Sequence, residues 1–137
     1  MEKIEHIGIA VKNIQEANKI YEALLGSAPY KSEKVESEGV ETSFFRSGES
    51  KIELLEATNP GSAIAKFIEK RGEGIHHIAF AVKDIKAEMA RLKNEGFILL
   101  NEEPKKGADN KLVAFVHPKS ANGVLVELCQ EIENNQK

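Results

Sequence analysis

Two histidines and two glutamates are the side chains of this 137-residue sequence whose types and spacing could support chemistry. His6 precedes Glu53 by 47 residues, and His77 precedes Glu127 by 50 residues. Glu127 lies in the apolar run VLVELC, where an ionised carboxylate must be paired, hydrogen-bonded or bound to a metal. Two imidazoles and two carboxylates form a mixed nitrogen and oxygen set, which suits a divalent metal that keeps open positions for water or substrate.

An internal repeat relates the two histidines. HIGIAVKNI at residues 6–14 reappears as HIAFAVKDI at residues 77–85, with six of the nine positions identical. The repeat makes His77 the equivalent of His6. Neighbouring side chains of an extended chain point to opposite faces, so His76 lies on the other face of the strand or at its end. We therefore predict a structural or supporting role for His76.

In each copy of the repeat, the residues on the same strand face as the histidine are small. Bulky residues occupy the opposite face, which suits packing beneath a helix. The small-residue faces are His6, Gly8 and Ala10 in the first copy and His77, Ala79 and Ala81 in the second. This asymmetry is present twice and predicts the floor of a concave site.

The segments after the two repeats predict helices. Asn13 is a typical N-cap residue and Gly26 a typical helix-ending residue, and Asp84 and Gly96 have the same roles in the second half. The expected buried faces are Ile14, Ala17, Tyr21 and Leu24 in the first helix and Ile85, Met89 and Leu92 in the second.

The remaining pattern predicts an α+β fold of two pseudo-symmetric βαβββ modules. Besides the two repeated segments, the expected strands are residues 32–37, 40–46, 50–57, 97–100, 112–117 and 123–130. Residues 58–74 form a linker that contains a short helix. We predict one domain over residues 1–137, with modules at about 3–57 and about 75–130 and a polar tail at 131–137.

Composition and charge argue against several classes of protein. A formal net charge of −3 and dispersed basic residues argue against a nucleic-acid-binding protein. The apolar runs are shorter than the roughly 20 residues that span a bilayer, and the N-terminus has no secretory pattern. Cys129 is the only cysteine, so the chain cannot form an internal disulfide, and we expect a cytoplasmic protein. The thiol itself is expected to be buried and inert. Lys105 and Lys106 are predicted to form a solvated turn.

The doubled His…Glu pattern resembles the vicinal oxygen chelate superfamily, which includes glyoxalases, extradiol dioxygenases and bleomycin resistance proteins. Within it, the strings GIHHIAFAV, HPKSANGVLVEL and NPGSAIAKFIEKRGEGIHH resemble methylmalonyl-CoA epimerases, from about His6 to Gln130. The resemblance implies a cupped, eight-stranded mixed sheet, a homodimer and an acyl-CoA substrate. It also implies one divalent metal ion, Co2+ or Mn2+ foremost, with Zn2+, Ni2+ or Mg2+ as alternatives. The implied ligands are His6, Glu53, His77 and Glu127.

Two positions depart from the epimerase pattern. Some epimerases carry glutamine where this chain has Glu53, so this site would be more anionic, as in glyoxalases. A bacterial epimerase pattern places a second catalytic carboxylate at the position of Thr42, and the neighbouring Glu41 has the opposite strand parity. Glu41 could take over that role only through a bulge or a shifted strand.

The resemblance implies epimerisation of (2R)- and (2S)-methylmalonyl-CoA by removal of the proton α to the thioester, through a metal-stabilised enolate. Glu127 is the expected base on one face of the enolate. The base on the other face is expected to be Glu53, Glu41 or a water held by Thr42.

Two alternative functions are consistent with the sequence. One is a lactoylglutathione lyase of the glyoxalase I type, which uses the same ligand set. The other is a metal-free module that sequesters drugs or other small molecules, against which the paired histidines and buried glutamates argue. For an acyl-CoA substrate, the candidates for contacting the anionic CoA tail are Lys105, Lys106 and Lys119.

Overall fold

A computed structural model describes residues 1–133 of the chain. Each half has the predicted βαβββ order of strands and one helix, which confirms the α+β fold class. The elements are β1 Ile4–Ala10, α1 Ile14–Leu25, β2 Lys31–Val35, β3 Val40–Ser47, β4 Ser50–Ala57, α2 Ala63–Arg71, β5 Gly74–Ala81, α3 Ile85–Asn94, β6 Lys105–Lys106, β7 Lys111–Val116 and β8 Val126–Glu131. None of the helices in this part of the chain is long and apolar enough to cross a membrane.

The chain divides into two compact units, and their boundaries do not coincide with the two halves of the sequence. One unit is His6–His76, and the other combines Met1–Glu5 with the chain from His77 onward. Lys3 joins the second unit through its carbonyl oxygen, which accepts a hydrogen bond from the Ala81 N–H at 2.9 Å. The linker helix α2 belongs to the first unit. The description of residues 1–137 as one domain stays a prediction, and residues 134–137 of the expected tail lie outside the described chain.

The two units repeat one strand order. In the first unit the order is β2-β3-β4-β1, with β1 and β4 parallel and the other neighbours antiparallel. In the second unit the order is β6-β7-β8-β5, with β5 and β8 parallel and the other neighbours antiparallel. Each module therefore pairs its first strand with its last, so the histidine of one strand comes beside the glutamate of the other.

The predicted caps define the helices. The Asn13 side chain accepts a hydrogen bond from the Glu16 N–H, and α1 ends at Gly26 in the left-handed conformation, with φ 84°. Asp84 caps α3 in the same way by accepting from the Ala87 N–H at 3.1 Å. These side chains satisfy backbone N–H groups that a helix N-terminus leaves without intrahelical partners.

The bulky strand faces pack beneath the helices, as predicted. The cluster under α1 contains Val11, Ile14, Ala17, Phe45 and Leu54, and the cluster under α3 contains Val82, Ile85, Met89, Leu92, Ala114, Val116 and Leu128. The prediction for Leu24 is wrong, because this side chain is 70% exposed and Leu25 packs in its place. At 3.6 residues per turn, Leu25 lies about 20° around the helix from Ile14, whereas Leu24 lies about 80° away.

Three predictions in the second unit, two of strands and one of a turn, differ from the structure. Residues 97–100 contribute only an isolated bridge, between Leu99 and Val116. The predicted turn at Lys105–Lys106 is instead the edge strand β6, although both side chains are exposed as expected. The outer edge of β7 is thus divided between these two short segments. β8 begins at Val126, three residues later than predicted, because Asn122 and Gly123 both adopt positive φ.

Leu25→Ala should lower the free energy of unfolding by about 1–2 kcal/mol, because it removes apolar packing from the cluster under α1. Leu24→Ala should change it by less than about 0.5 kcal/mol, as expected for an exposed position. Urea denaturation followed by circular dichroism measures both values. Equal losses in the two variants would contradict the observed register of α1.

Candidate metal and acid–base site

The first unit holds a buried pair of His6 and Glu53. Parallel pairing of β1 with β4 sets Gly8 beside Glu53. This register brings His6 Nε2 to 3.2 Å from Glu53 Oε1. The two residues are 5% and 4% exposed. Gly8 carries no side chain that could separate the two groups.

The second unit repeats this arrangement with His77 and Glu127. Parallel pairing of β5 with β8 sets Ala79 beside Glu127, as Gly8 stands beside Glu53. His77 Nε2 lies 3.0 Å from Glu127 Oε1, and both residues are buried. The edge of the His77 ring also meets Phe115, with 6.2 Å between the ring centroids.

The chemistry of each pair suits a divalent metal. Each pair offers one imidazole nitrogen and one carboxylate oxygen, the donor types that zinc, cobalt and manganese sites use in proteins. Within each pair the two donor residues are buried, although an ionised carboxylate is costly to bury without compensation. The residues present therefore fit a metal ion, and the same groups could accept or donate protons.

His76 differs from His77 in its surroundings. Its ring meets Phe67 of α2 edge-on, with 5.0 Å between the ring centroids and 84° between the planes. His76 is partly exposed, whereas His77 is 4% exposed and faces Glu127. Adjacent positions in β5 thus have different neighbours, as strand parity predicts.

Cys129 is buried, as predicted, but it is not isolated. Its thiol donates a hydrogen bond to Glu127 Oε2 at 3.0 Å. Residues two apart in a strand share a face, so the spacing alone could have indicated this contact. Burial of the thiol is thus confirmed, and its inertness stays a prediction.

The predicted small-residue floor is covered at one end in the first unit. Ala10 is fully buried and packs in a cluster with Val40, Leu55 and Ile64. Ile64 belongs to α2, the helix of the linker, so this helix occupies the space above Ala10. Any open part of this face therefore lies nearer Gly8.

Thr42 lies on the face of Glu53. Antiparallel pairing sets Phe44 opposite Glu53 and Thr42 opposite Leu55, and directly opposed residues share a face. Thr42 is 1% exposed, and its hydroxyl donates to the Glu33 carbonyl oxygen at 3.1 Å. The hydroxyl oxygen can also accept a hydrogen bond, so Thr42 stays a candidate for holding a water.

Glu41 lies on the other face of β3, toward α1. It pairs with Glu56, whose carboxylate accepts a hydrogen bond from the Ile14 N–H at 2.7 Å. The pairing of β3 with β4 runs without a break over Val40–Ser47, so no bulge turns Glu41 toward Glu53. Its assignment as a candidate base is therefore withdrawn.

A buried ion pair in the second unit was not predicted. Lys111 Nζ lies 3.7 Å from Glu5 Oε2 and 3.9 Å from Asp109 Oδ2. Lys111 and Glu5 are 8% and 6% exposed, and buried ions require such partners. The sequence signal is a lysine that opens the apolar strand KLVAFV, but nothing in the sequence identifies Glu5 as its neighbour.

Comparison with known proteins places the chain among similar sequences and structures. The family model of the Glyoxalase/Bleomycin resistance protein/Dioxygenase superfamily matches residues 5–115. An ethylmalonyl-CoA/methylmalonyl-CoA epimerase of Cereibacter sphaeroides is 42% identical over 93% of this chain and 97% of its own length. The uncharacterized protein YqjC of Bacillus subtilis is 41% identical over 95% of this chain and 93% of its own length.

A solved structure extends this similarity to the fold. A variant of Streptomyces coelicolor methylmalonyl-CoA epimerase, in complex with 2-nitronate-propionyl-CoA, superposes with a TM-score of 0.91 at 34% identity. The match covers 97% of this chain and 99% of that structure. The similarity therefore spans both units.

His77→Ala should abolish measurable Co2+ binding, because it removes the imidazole beside Glu127. His76→Ala should weaken binding only slightly, because this ring contacts Phe67. Isothermal titration of Co2+ into each purified variant, with circular dichroism to verify folding, measures the difference. Equal effects of the two substitutions would contradict the prediction that His77, and not His76, is a metal ligand.

Proposed function

Because the chain belongs to the Glyoxalase/Bleomycin resistance protein/Dioxygenase superfamily, we propose that it is an isomerase that interconverts (2R)- and (2S)-methylmalonyl-CoA. The observation that carries the proposal is the buried imidazole–carboxylate pair in each unit, at 3.2 and 3.0 Å. Epimerases among the similar proteins support this substrate, and one solved structure is a methylmalonyl-CoA epimerase with methylmalonyl-CoA bound. A cytoplasmic homodimer stays a prediction.

One divalent ion, Co2+ or Mn2+, is part of the proposal. Its proposed ligands are the members of the two pairs, His6, Glu53, His77 and Glu127. When bound, such an ion would act as a Lewis acid that stabilises negative charge developing on the thioester oxygen. The buried surroundings of the four side chains support this role, since electrostatic stabilisation is larger where water is excluded.

Glu127 is the proposed base on one face of the substrate. Epimerisation moves a proton from the carbon between thioester and carboxylate onto an enzyme group, and returns a proton to the opposite face. A carboxylate oxygen can accept the first proton, and a second group must supply the other. The planar enolate between these steps has the geometry of the nitronate ligand in the similar epimerase structure, since a nitronate is also a planar anion.

Glu53 is the proposed group on the opposite face. It repeats the placement of Glu127, with a histidine beside it and a small residue in the adjacent strand. A water held by Thr42 is the remaining alternative, because Thr42 shares the face of Glu53.

A lactoylglutathione lyase of the glyoxalase I type is a second candidate, favoured by glutamate at position 53. This reaction also begins with removal of a proton by a base, but the proton is returned to the neighbouring carbon instead of the same one. Consumption of the methylglyoxal–glutathione hemithioacetal, followed by absorbance, would identify this activity. The epimerases among the similar proteins favour the first proposal.

Methylmalonyl-CoA incubated with the metal-loaded protein in D2O should exchange its α-proton for deuterium. The enzyme groups that accept the substrate proton equilibrate with solvent, so mass spectrometry of the acyl-CoA records the exchange above the uncatalysed rate. Treatment with a chelator should stop the enhanced exchange, and added Co2+ should restore it. Absence of enhanced exchange with metal loaded would reject the epimerase proposal.

Glu127→Gln and Glu53→Gln should each lower kcat by at least about 100-fold, because an amide cannot accept the proton. Glu41→Gln is the matched control and should stay within about twofold of wild type, since its carboxylate lies on the opposite face of β3. Stopped assays at saturating Co2+, with metal content measured for each variant, separate base loss from metal loss. Full activity of Glu53→Gln together with loss in Thr42→Val would instead assign the second proton to a water held by Thr42.

A further inference from the structure

The carboxylate of Glu127 has different neighbours at its two oxygens. Oε1 lies 3.0 Å from His77 Nε2, and Oε2 accepts a hydrogen bond from the Cys129 thiol, also at 3.0 Å. All three residues are 6% exposed or less. A carboxylate with both oxygens engaged in this way is held in one orientation, because rotation about its terminal bond would break both contacts.

The corresponding position in the first unit has a different chemistry. Cys129 follows Glu127 by two residues in β8, and the residue two positions after Glu53 in β4 is Leu55. Leu55 packs with apolar side chains near α2, and its side chain has no hydrogen to donate. The thiol is therefore a feature of one half of the repeat alone.

Packing holds the thiol in place. Cys129 is 2% exposed and belongs to a cluster with Ala79 and Val113, with Phe115 against it. Ala79 and Phe115 are also the residues paired with Glu127 in the two neighbouring strands. A thiol is a weak donor in water, but a buried contact to a charged acceptor is stronger because the surroundings screen it less.

We propose that Cys129 is a positioning residue for Glu127. Its thiol occupies Oε2 and so presents Oε1 beside His77 Nε2, where both atoms can meet a divalent ion. This inference rests on the metal site of the proposed function and deepens it. In this proposal Oε1 of Glu127 faces the metal ion, and Oε2 accepts the hydrogen bond that fixes the carboxylate. Leu55, the equivalent of Cys129 in the first unit, cannot donate such a hydrogen bond to Glu53.

Three variants of the full chain test the role. Cys129→Val keeps the approximate volume and removes the donor, Cys129→Ser restores a donor, and Val113→Ala deletes packing in the same cluster without touching the hydrogen bond. Isothermal titration of Co2+ gives the affinity, thermal unfolding of the metal-free protein gives the stability, and steady-state assays at saturating Co2+ give kcat and KM.

Cys129→Val should bind Co2+ about tenfold more weakly than wild type, the usual size of effect when a group that orients a ligand is lost. Cys129→Ser should stay within about threefold of wild type, and Val113→Ala should lower the unfolding temperature with unchanged Co2+ affinity. At saturating Co2+, Cys129→Val should lower kcat with little change in KM. The reason is that the carboxylate of Glu127, which loses its fixed orientation, is the proposed base at the reacting carbon.

The proposal is overturned if Cys129→Val binds Co2+ as wild type does, if Cys129→Ser is as weak as Cys129→Val, or if Val113→Ala weakens the affinity equally. The titration uses the metal alone and needs no acyl-CoA. Tenfold weaker binding by Cys129→Val in a protein that does not exchange the α-proton would support the positioning role while rejecting the epimerase. If Cys129→Val binds Co2+ with wild-type affinity and the protein does exchange the α-proton, the positioning role is rejected and the epimerase proposal is supported.

Discussion

An ionised carboxylate inside a sheet requires a compensating partner, and the architecture of each unit provides one. Glu53 and Glu127 are 4% and 6% exposed, and each lies beside an imidazole from a parallel neighbouring strand. Parallel strands that pair directly need a long connection between them. The helix and two further strands of each module form that connection, so the βαβββ order and the His–Glu contact depend on each other.

The two halves are alike in their buried His–Glu pairs and different in the residues that surround those pairs. α2 packs over Ala10 in the first unit, and the second unit instead contributes the Cys129 thiol beside its glutamate. A reaction that must act on two faces of one carbon does not need two identical bases. Unequal support of equivalent carboxylates suits a division of tasks between them.

Sequence patterns predicted the features that depend on local chemistry and strand parity. The caps at Asn13 and Asp84 follow from side chains that accept a hydrogen bond from a nearby N–H group. The His–Glu equivalence follows from the internal repeat, and the separate surroundings of His76 follow from the two-residue period of a strand. The errors arise where partners come from distant segments. The edge of β7 is divided between two short pieces, and Lys111 finds Glu5 more than a hundred residues away in the chain. Leu24 is predicted to be buried because it follows Tyr21 by three residues, but Leu25 follows Tyr21 by four, and both spacings fit one face of a helix. Sequence spacing alone therefore does not decide which of the two leucines packs against the sheet.

The first strand has a consequence for how the chain folds. Met1–Glu5 belongs with the second unit, while His6 and the residues after it belong with the first. Cleavage of the backbone at one point between residues 6 and 76 would therefore leave Met1–Glu5 covalently joined to part of the first unit. The rest of the second unit would be on the other fragment. The second half of the sequence cannot complete its own unit from its own residues, because Lys3 and Glu5 supply a backbone acceptor and a buried charge from the other end of the chain. Synthesis must therefore have reached β7 before Lys3 and Glu5 can meet both of these neighbours.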